Sequence, residues 1–292
     1  MLTPNQISRY NSILVKKLSV YLNREPDFIQ ACIIDELVHE CGITREDAFS
    51  VVLAAAVGLD TENNADDKAL FENYFPNMAH YLDKKVYRSN PYYKNIKIPV
   101  IEIGKWAFRQ ERYKPYEAFE CDDFNRCPDG RIIPQIGFFD SEFSYPAVLE
   151  NGREWMMITP NEIATMQPAI EKASGRVLTY GLGLGYYAYM VSEKDAVASV
   201  TVVENDETII KLFQTCILPQ FAYADKIEVV KGDAFVYAEK QMAAGQFDLV
   251  FTDLWHDPSD GVELYLKMKS YEKYSPRSTF MYWIEKTILC YL

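Results

Sequence analysis

The sequence predicts an open, doubly wound α/β fold with a mostly parallel sheet, preceded by an N-terminal helical domain and a β-rich connector. Three observations carry this. From residue 177 onward, five apolar runs alternate with helix-compatible stretches, the pattern of parallel strands joined by right-handed crossover helices. The first run, Val177-Leu-Thr-Tyr180, leads into glycines at alternate positions, Gly181, Gly183 and Gly185. The next two runs lead to acids, Glu204 after Val200-Thr-Val-Val and Asp233 after Ile227-Glu-Val-Val-Lys-Gly.

The helical domain occupies 1–88. Ile7, Tyr10, Leu14, Leu18 and Tyr21 recur every three or four residues, which predicts a helix over 2–22. Pro26 is placed to open a second helix, with Ile29, Cys32, Ile33 and Leu37 on one face. Thr44 caps a third helix, with Asp47 three residues on and Gly58 near its end, and 64–74 forms a fourth. The connector, 89–158, is punctuated by Pro91, Pro99, Pro115, Pro128 and Pro134, with 96–103 extended. Strands are expected at 137–145 and 155–158 around the tight-turn signal Asn151-Gly152. The body, 159–292, opens on a helix in which Thr159 is the N-cap, Pro160 the first helical residue and Glu162 the far end of a capping box, with Gly175 as terminator. Strands at 177–181, 200–204, 227–230, 247–253 and 279–284 then alternate with helices at 185–192, 206–217, 233–243 and 261–272. Several of these strands are continuously apolar, as strands covered on both faces should be.

Composition narrows the function classes. Apolar residues make up 49% of the 292, enough for a substantial core, and there are 21 tyrosines. The net charge of −12, with no Lys/Arg cluster, argues against nucleic-acid binding and leaves small molecules or proteins as partners. The six cysteines form no CxxC pair, so no metal site is expected and free thiols are. Met1-Leu-Thr-Pro4 lacks the charged and apolar regions of a secretory leader, and no apolar run approaches membrane-spanning length. A cytoplasmic protein without membrane attachment is the expectation.

The glycine segment is a close-approach turn: without side chains, the backbone can pass against a ligand at the end of a strand. Gly181-x-Gly183-x-Gly185, Glu204 and Gly232-Asp233-Ala234 together resemble the class I S-adenosylmethionine-dependent methyltransferases over roughly 160–285, which implies a Rossmann-like sheet. The resemblance implies that Gly181, Gly183, Gly185 and Tyr186 lie along the cofactor. It places Glu204 on the ribose hydroxyls and Asp233 with Ala234 at the adenine. The layout is closest to the spermidine synthase-like branch, whose fourth strand Asp248-Leu-Val-Phe-Thr-Asp253 resembles. Two departures stand out: Thr179 replaces an acid common two residues before the first glycine, and the sequence stops after strand five with no hairpin of strands six and seven. Strands from the connector or a second copy, as in a homodimer, would then cover the sheet edge. Gly183-x-Gly185-x-x-Ala188 also fits a dinucleotide fingerprint, in which Asp233 has no role.

Candidate chemistry follows strand four. Asp253 is placed to contact the acceptor nucleophile or take its proton, His256 has a suitable intrinsic pKa, and Asp257 is a third candidate. Asp257 and Asp260 read equally as caps of the next helix. The expectation is methyl transfer from S-adenosylmethionine to a small molecule. Aminopropyl transfer from the decarboxylated cofactor, and a non-catalytic binding protein on the same fold, are the alternatives.

Overall fold

The computed structural model describes residues 2–292. Helix α1 (Pro4–Arg24) begins at a capping box in which Thr3 and Gln6 bond each other's backbone N–H, and it buries the five predicted residues, Ile7, Tyr10, Leu14, Leu18 and Tyr21. Helix α2 (Ala31–Cys41) starts five residues after Pro26, so Pro26 does not open it. Of the predicted face, Ile29 is buried ahead of the helix while Cys32 and Ile33 are exposed. Gly42 ends α2 in the left-handed region. Helix α3 (Arg45–Ala56) is capped by Thr44 as predicted, and the fourth helix forms as α4 (Ala65–Tyr74), with Asn64 as its N-cap. Strand β1 (Ala79–Tyr81) and the short helices α5 (Lys84–Arg88) and α6 (Pro91–Asn95) follow.

The connector supplies β2 (Ile101–Ile103), β3 (Trp106–Tyr113), β4 (Phe119–Arg126), β5 (Ile132–Phe138), β6 (Phe143–Glu150) and β7 (Arg153–Met157). The single strand expected at 137–145 is two strands, broken at 139–142. Asn151 and Gly152, both at positive φ, make the tight turn between β6 and β7.

Helix α7 (Pro160–Lys172) has Pro160 at its first position, but the Thr159 side chain makes no cap bond and the capping box with Glu162 does not form. Gly175 is the first residue of β8 (Gly175–Tyr180) rather than a helix terminator. The body continues with α8 (Tyr186–Ser192), β9 (Val197–Glu204), α9 (Glu207–Leu212, prolonged by a π turn to Ile217), β10 (Ile227–Lys231), α10 (Ala234–Lys240), α11 (Met242–Gly245), β11 (Leu249–Thr252), α12 (Pro258–Lys269), β12 (Thr279–Tyr282) and α13 (Glu285–Ile288).

The chain divides into two compact units, 1–85 with 112–144 and 86–111 with 145–292. In the first, α1 to α4 and the sheet β1-β5-β4 share one core that includes Leu14, Leu53, Tyr74 and Ile136; Phe49 stacks on Phe138 with centroids 4.0 Å apart. The second holds the four-stranded sheet β2-β3-β6-β7 and a five-stranded parallel sheet ordered β10-β9-β8-β11-β12. That order runs outward both ways from the first strand of the body, which makes it a Rossmann-like α/β sheet with a switch point between β8 and β11. Val177, Leu178, Val200, Val202 and Val250 at its centre are fully buried, as continuous apolar runs in doubly covered strands require. No described helix is long and apolar enough to cross a membrane.

Candidate functional site

The strand order brings the C-terminal tips of β8, β9 and β11 together. Gly181 follows β8 directly; its N–H donates to the Val203 carbonyl on β9 (3.0 Å), while the Asp253 N–H on the β11 side donates to the Tyr180 carbonyl (3.0 Å). Gly181 sits at φ +94°, and a Cβ there would overlap the Asp253 carbonyl oxygen. Gly183, at φ +51°, lies under the Met156 side chain. Glycine is required at Gly181 for both conformation and close approach. Gly185, also at positive φ, is the N-cap of α8.

Glu204, half-buried at the tip of β9, ties the loop to its neighbour. Its Oε2 accepts from the Leu182 N–H (3.2 Å), and its Oε1 accepts from the N–H groups of Asn205 (2.7 Å) and Asp206 (2.8 Å). Asp233 is the N-cap of α10: its Oδ1 accepts from the Val236 N–H (2.9 Å), and buried Ala234 follows it.

Helix α6, in a segment whose chemistry the sequence left unread, braces the glycine loop. The Tyr92 hydroxyl donates to the Leu184 carbonyl (2.5 Å), Asn90 donates to the Tyr186 hydroxyl (3.0 Å) and Asn95 to the Tyr189 hydroxyl (2.8 Å). Burial, chiefly, pushes the Tyr186 hydroxyl up to about 12.

Below the loop, a cavity of about 20 Å³ is lined by Met156, Met157, Glu162, Met166, Gly181, Tyr186, Tyr187 and Asp253, among others. Two carboxyls meet here. Burial pushes Asp253 up to about 7, and burial followed by the neighbouring Asp253 charge holds Glu162 well above the usual carboxylate range. Two acids in one low-dielectric site cannot both ionise cheaply. Sequence reasoning missed Glu162, because Thr-x-x-Glu reads as a capping box whether the glutamate turns back to its helix end or into the sheet. Tyr187 is also buried there, and its hydroxyl has no hydrogen-bond partner.

Of the three residues predicted after strand four, only Asp253 lines this cavity. The chain turns outward beyond it to begin α12 at Pro258. Asp257 is that helix's N-cap, accepting from the Ser259 N–H (2.6 Å), and Asp260 closes a capping box with it. The exposed His256 has its Nδ1 3.0 Å from Asp260 Oδ2 and its ring edge-on to Trp155, with centroids 4.1 Å apart. His256 and Asp257 are therefore engaged in building the loop. Thr179 is buried on β8 and lines the cavity without supplying a charge. Among the described residues no group of three or more potential ligands is arranged for a metal ion, and all six cysteines are free thiols. A larger open groove of about 560 Å³, beside Lys16, Lys17 and Arg24 in the first unit, contains neither a glycine turn nor paired acids.

No family profile and no curated protein sequence matches the chain. Solved structures similar over part of it include the cofactor-bound protein Rv0187 from MTB, 26% identical over 33% of this chain and 43% of that one. Another is a candidate O-methyltransferase from Klebsiella pneumoniae, 20% identical over 34% of this chain and 43% of that one. Each has a TM-score of 0.27. The chain spans less than half the length of either, and likeness at this level carries no argument about chemistry.

Proposed function

We propose that the second unit binds S-adenosylmethionine and transfers its methyl group to a small-molecule nucleophile, as a class I methyltransferase. The observation that carries the reading is the Glu204 carboxylate bonded to the Leu182 N–H: it joins a three-glycine loop after the first strand to an acid at the tip of the second. An acid held beside such a loop suits a ligand with vicinal hydroxyls at one end and a cationic centre at the other.

The residues present fit that cofactor. Glu204 already accepts three backbone N–H bonds, and a carboxylate has roughly four acceptor positions, so it keeps about one for a ribose hydroxyl. Asp233 spends one oxygen on its helix, leaving the other for an adenine amino group. The rings of Tyr186 and Tyr187 suit a neighbouring sulfonium. S-adenosylmethionine supplies an activated methyl group; the chain orients it and excludes water. Asp253, with its pKa near neutrality, is poised to hold or take the proton of the attacking group. A cavity of about 20 Å³ is far below the roughly 300 Å³ or more of a ligand pocket, so binding requires Met156 and the β6–β7 hairpin to withdraw from the loop.

The test is turnover. The chain is incubated with S-adenosylmethionine and a panel of small amines, phenols and carboxylic acids, and S-adenosylhomocysteine and methylated product are quantified by mass spectrometry. Matched formation of both, reduced roughly a hundredfold or more by Asp253→Asn, is expected. A folded chain that neither binds S-adenosylmethionine nor yields product contradicts the reading.

A further inference from the structure

We propose that the groove along α1 binds a free single-chain anionic amphiphile, an alkyl chain ending in a carboxylate. Its lining residues all belong to the first unit and those of the glycine-loop cavity to the second, so its occupancy rests on no part of the methyl-transfer reading.

Helix α1 is an exception in an acidic chain. The sequence holds 42 Asp and Glu in 292 residues, yet the 21 residues of α1 include no acid and four cations, Arg9, Lys16, Lys17 and Arg24. Arg9 pairs with Asp66 and does not line the groove; the other three do, with Glu25 the single acid among the described lining residues. Lys17 is already fixed. Its Nζ donates to the Val57 (2.9 Å) and Gly58 (3.0 Å) carbonyls at the end of α3, which leaves one of its three N–H groups for a ligand. Lys16 and Arg24 are not: among the described residues neither forms an ion pair or a side-chain hydrogen bond. Lys16, Val20 and Arg24 follow one another at four-residue spacing, so they form one row over about 12 Å of helix. Val20, between the two cations, is 46% exposed, and Ile13, Ala56 and Val57 continue the aliphatic wall.

These features select one ligand chemistry. Unpaired cations beside an apolar wall suit an anion whose remainder is apolar, the cations fixing its orientation and the wall its affinity. The volume, about 560 Å³, falls within the roughly 300–1,000 Å³ of small-molecule sites. Tyr21, the aromatic lining residue, is buried, so the groove offers no platform for stacked bases. Three cations on a chain of net charge −12 do not make a track for a phosphate backbone. The same net charge is repelled by an anionic bilayer, which favours a free amphiphile over a membrane surface.

The experiment is calorimetric titration of the full chain with octanoate, 1-octanol and octyltrimethylammonium, each kept monomeric, and with hexanoate and decanoate. Octanoate should bind most tightly of the octyl compounds and octyltrimethylammonium most weakly. Affinity should rise about threefold to tenfold for every two methylenes from hexanoate to decanoate. Reversing the two unpaired charges together, Lys16→Glu with Arg24→Glu, should weaken octanoate about tenfold or more and make octyltrimethylammonium the tighter ligand. Val20→Asn should weaken all three octyl compounds. Equal affinity for the three, no octanoate binding, or octanoate binding unchanged by the charge reversal overturns the proposal. Two further outcomes would assign the groove to another occupant and overturn it as well. One is binding of phosphatidylglycerol vesicles without binding of octanoate. The other, read by sedimentation, is a wild-type dimer that the charge reversal dissociates and octanoate leaves intact. Lys16, Val20 and Arg24 are exposed, and circular dichroism checks folding of the variants. Should they misfold, the order of the three octyl compounds on the wild type decides.

Discussion

At the scale of single residues, crowding and charge make separate predictions. Gly181 and Gly183 both have positive φ, but a side chain at Gly181 meets the Asp253 backbone while one at Gly183 meets the flexible end of Met156. Gly181→Ala should therefore cost about 2 kcal/mol or more, and Gly183→Ala about 1 kcal/mol, read as denaturant midpoints at constant slope. The half-buried carboxyls of the cavity give stability a pH dependence of known sign. The folded pKa of Asp253, about 7, lies above its ordinary value of 3.8, so the folded chain holds the proton more tightly than the unfolded chain. Its contribution is fully present below pH 4 and is lost as pH rises toward 7, at up to about 1.4 kcal/mol per pH unit for one proton. Asp253→Asn should flatten the fall in melting temperature between pH 5 and 8; an unchanged slope would show that Asp253 is ionised throughout.

At the scale of elements, the fate of the loop after β11 separates structure from chemistry. Asp257 accepts the Ser259 N–H and heads α12, so Asp257→Ala should cost roughly 0.5–2 kcal/mol while leaving cofactor affinity unchanged. A large loss of affinity with undiminished stability would instead return Asp257 to the site. Periodicity made α1 and the strand–helix alternation of the body readable, because burial writes its period into the sequence, while α3 was readable from the Thr44 cap that begins it. It failed where the same residues serve two geometries. Pro26 begins a turn instead of a helix, and Glu162 points to a cavity instead of its cap. Residues 137–145 read as one apolar run although the chain bends at 139–142 between two sheets. The bracing of the glycine loop by Asn90, Tyr92 and Asn95 left no local signal, since its partners lie some ninety residues away.

At the scale of the whole molecule, each compact unit has its own core, and the glycine loop, the acid of β9 and the carboxyl pair all belong to the second. The glycines were legible because close backbone approach restricts residue type, and Glu204 because it is the acid that ends an apolar strand. The cavity was not, because it exists only once α7, α8 and β11 pack together. The central claim is that this arrangement binds an S-adenosyl cofactor. The most direct test is calorimetric titration of wild type and Glu204→Ala with S-adenosylmethionine, its decarboxylated form, S-adenosylhomocysteine and NAD. The account predicts that S-adenosylmethionine and S-adenosylhomocysteine bind the wild type, that NAD is silent, and that Glu204→Ala weakens binding about tenfold or more, a loss of about 1.4 kcal/mol. Binding of NAD alone, silence from all four ligands, or affinity unchanged in Glu204→Ala would contradict it.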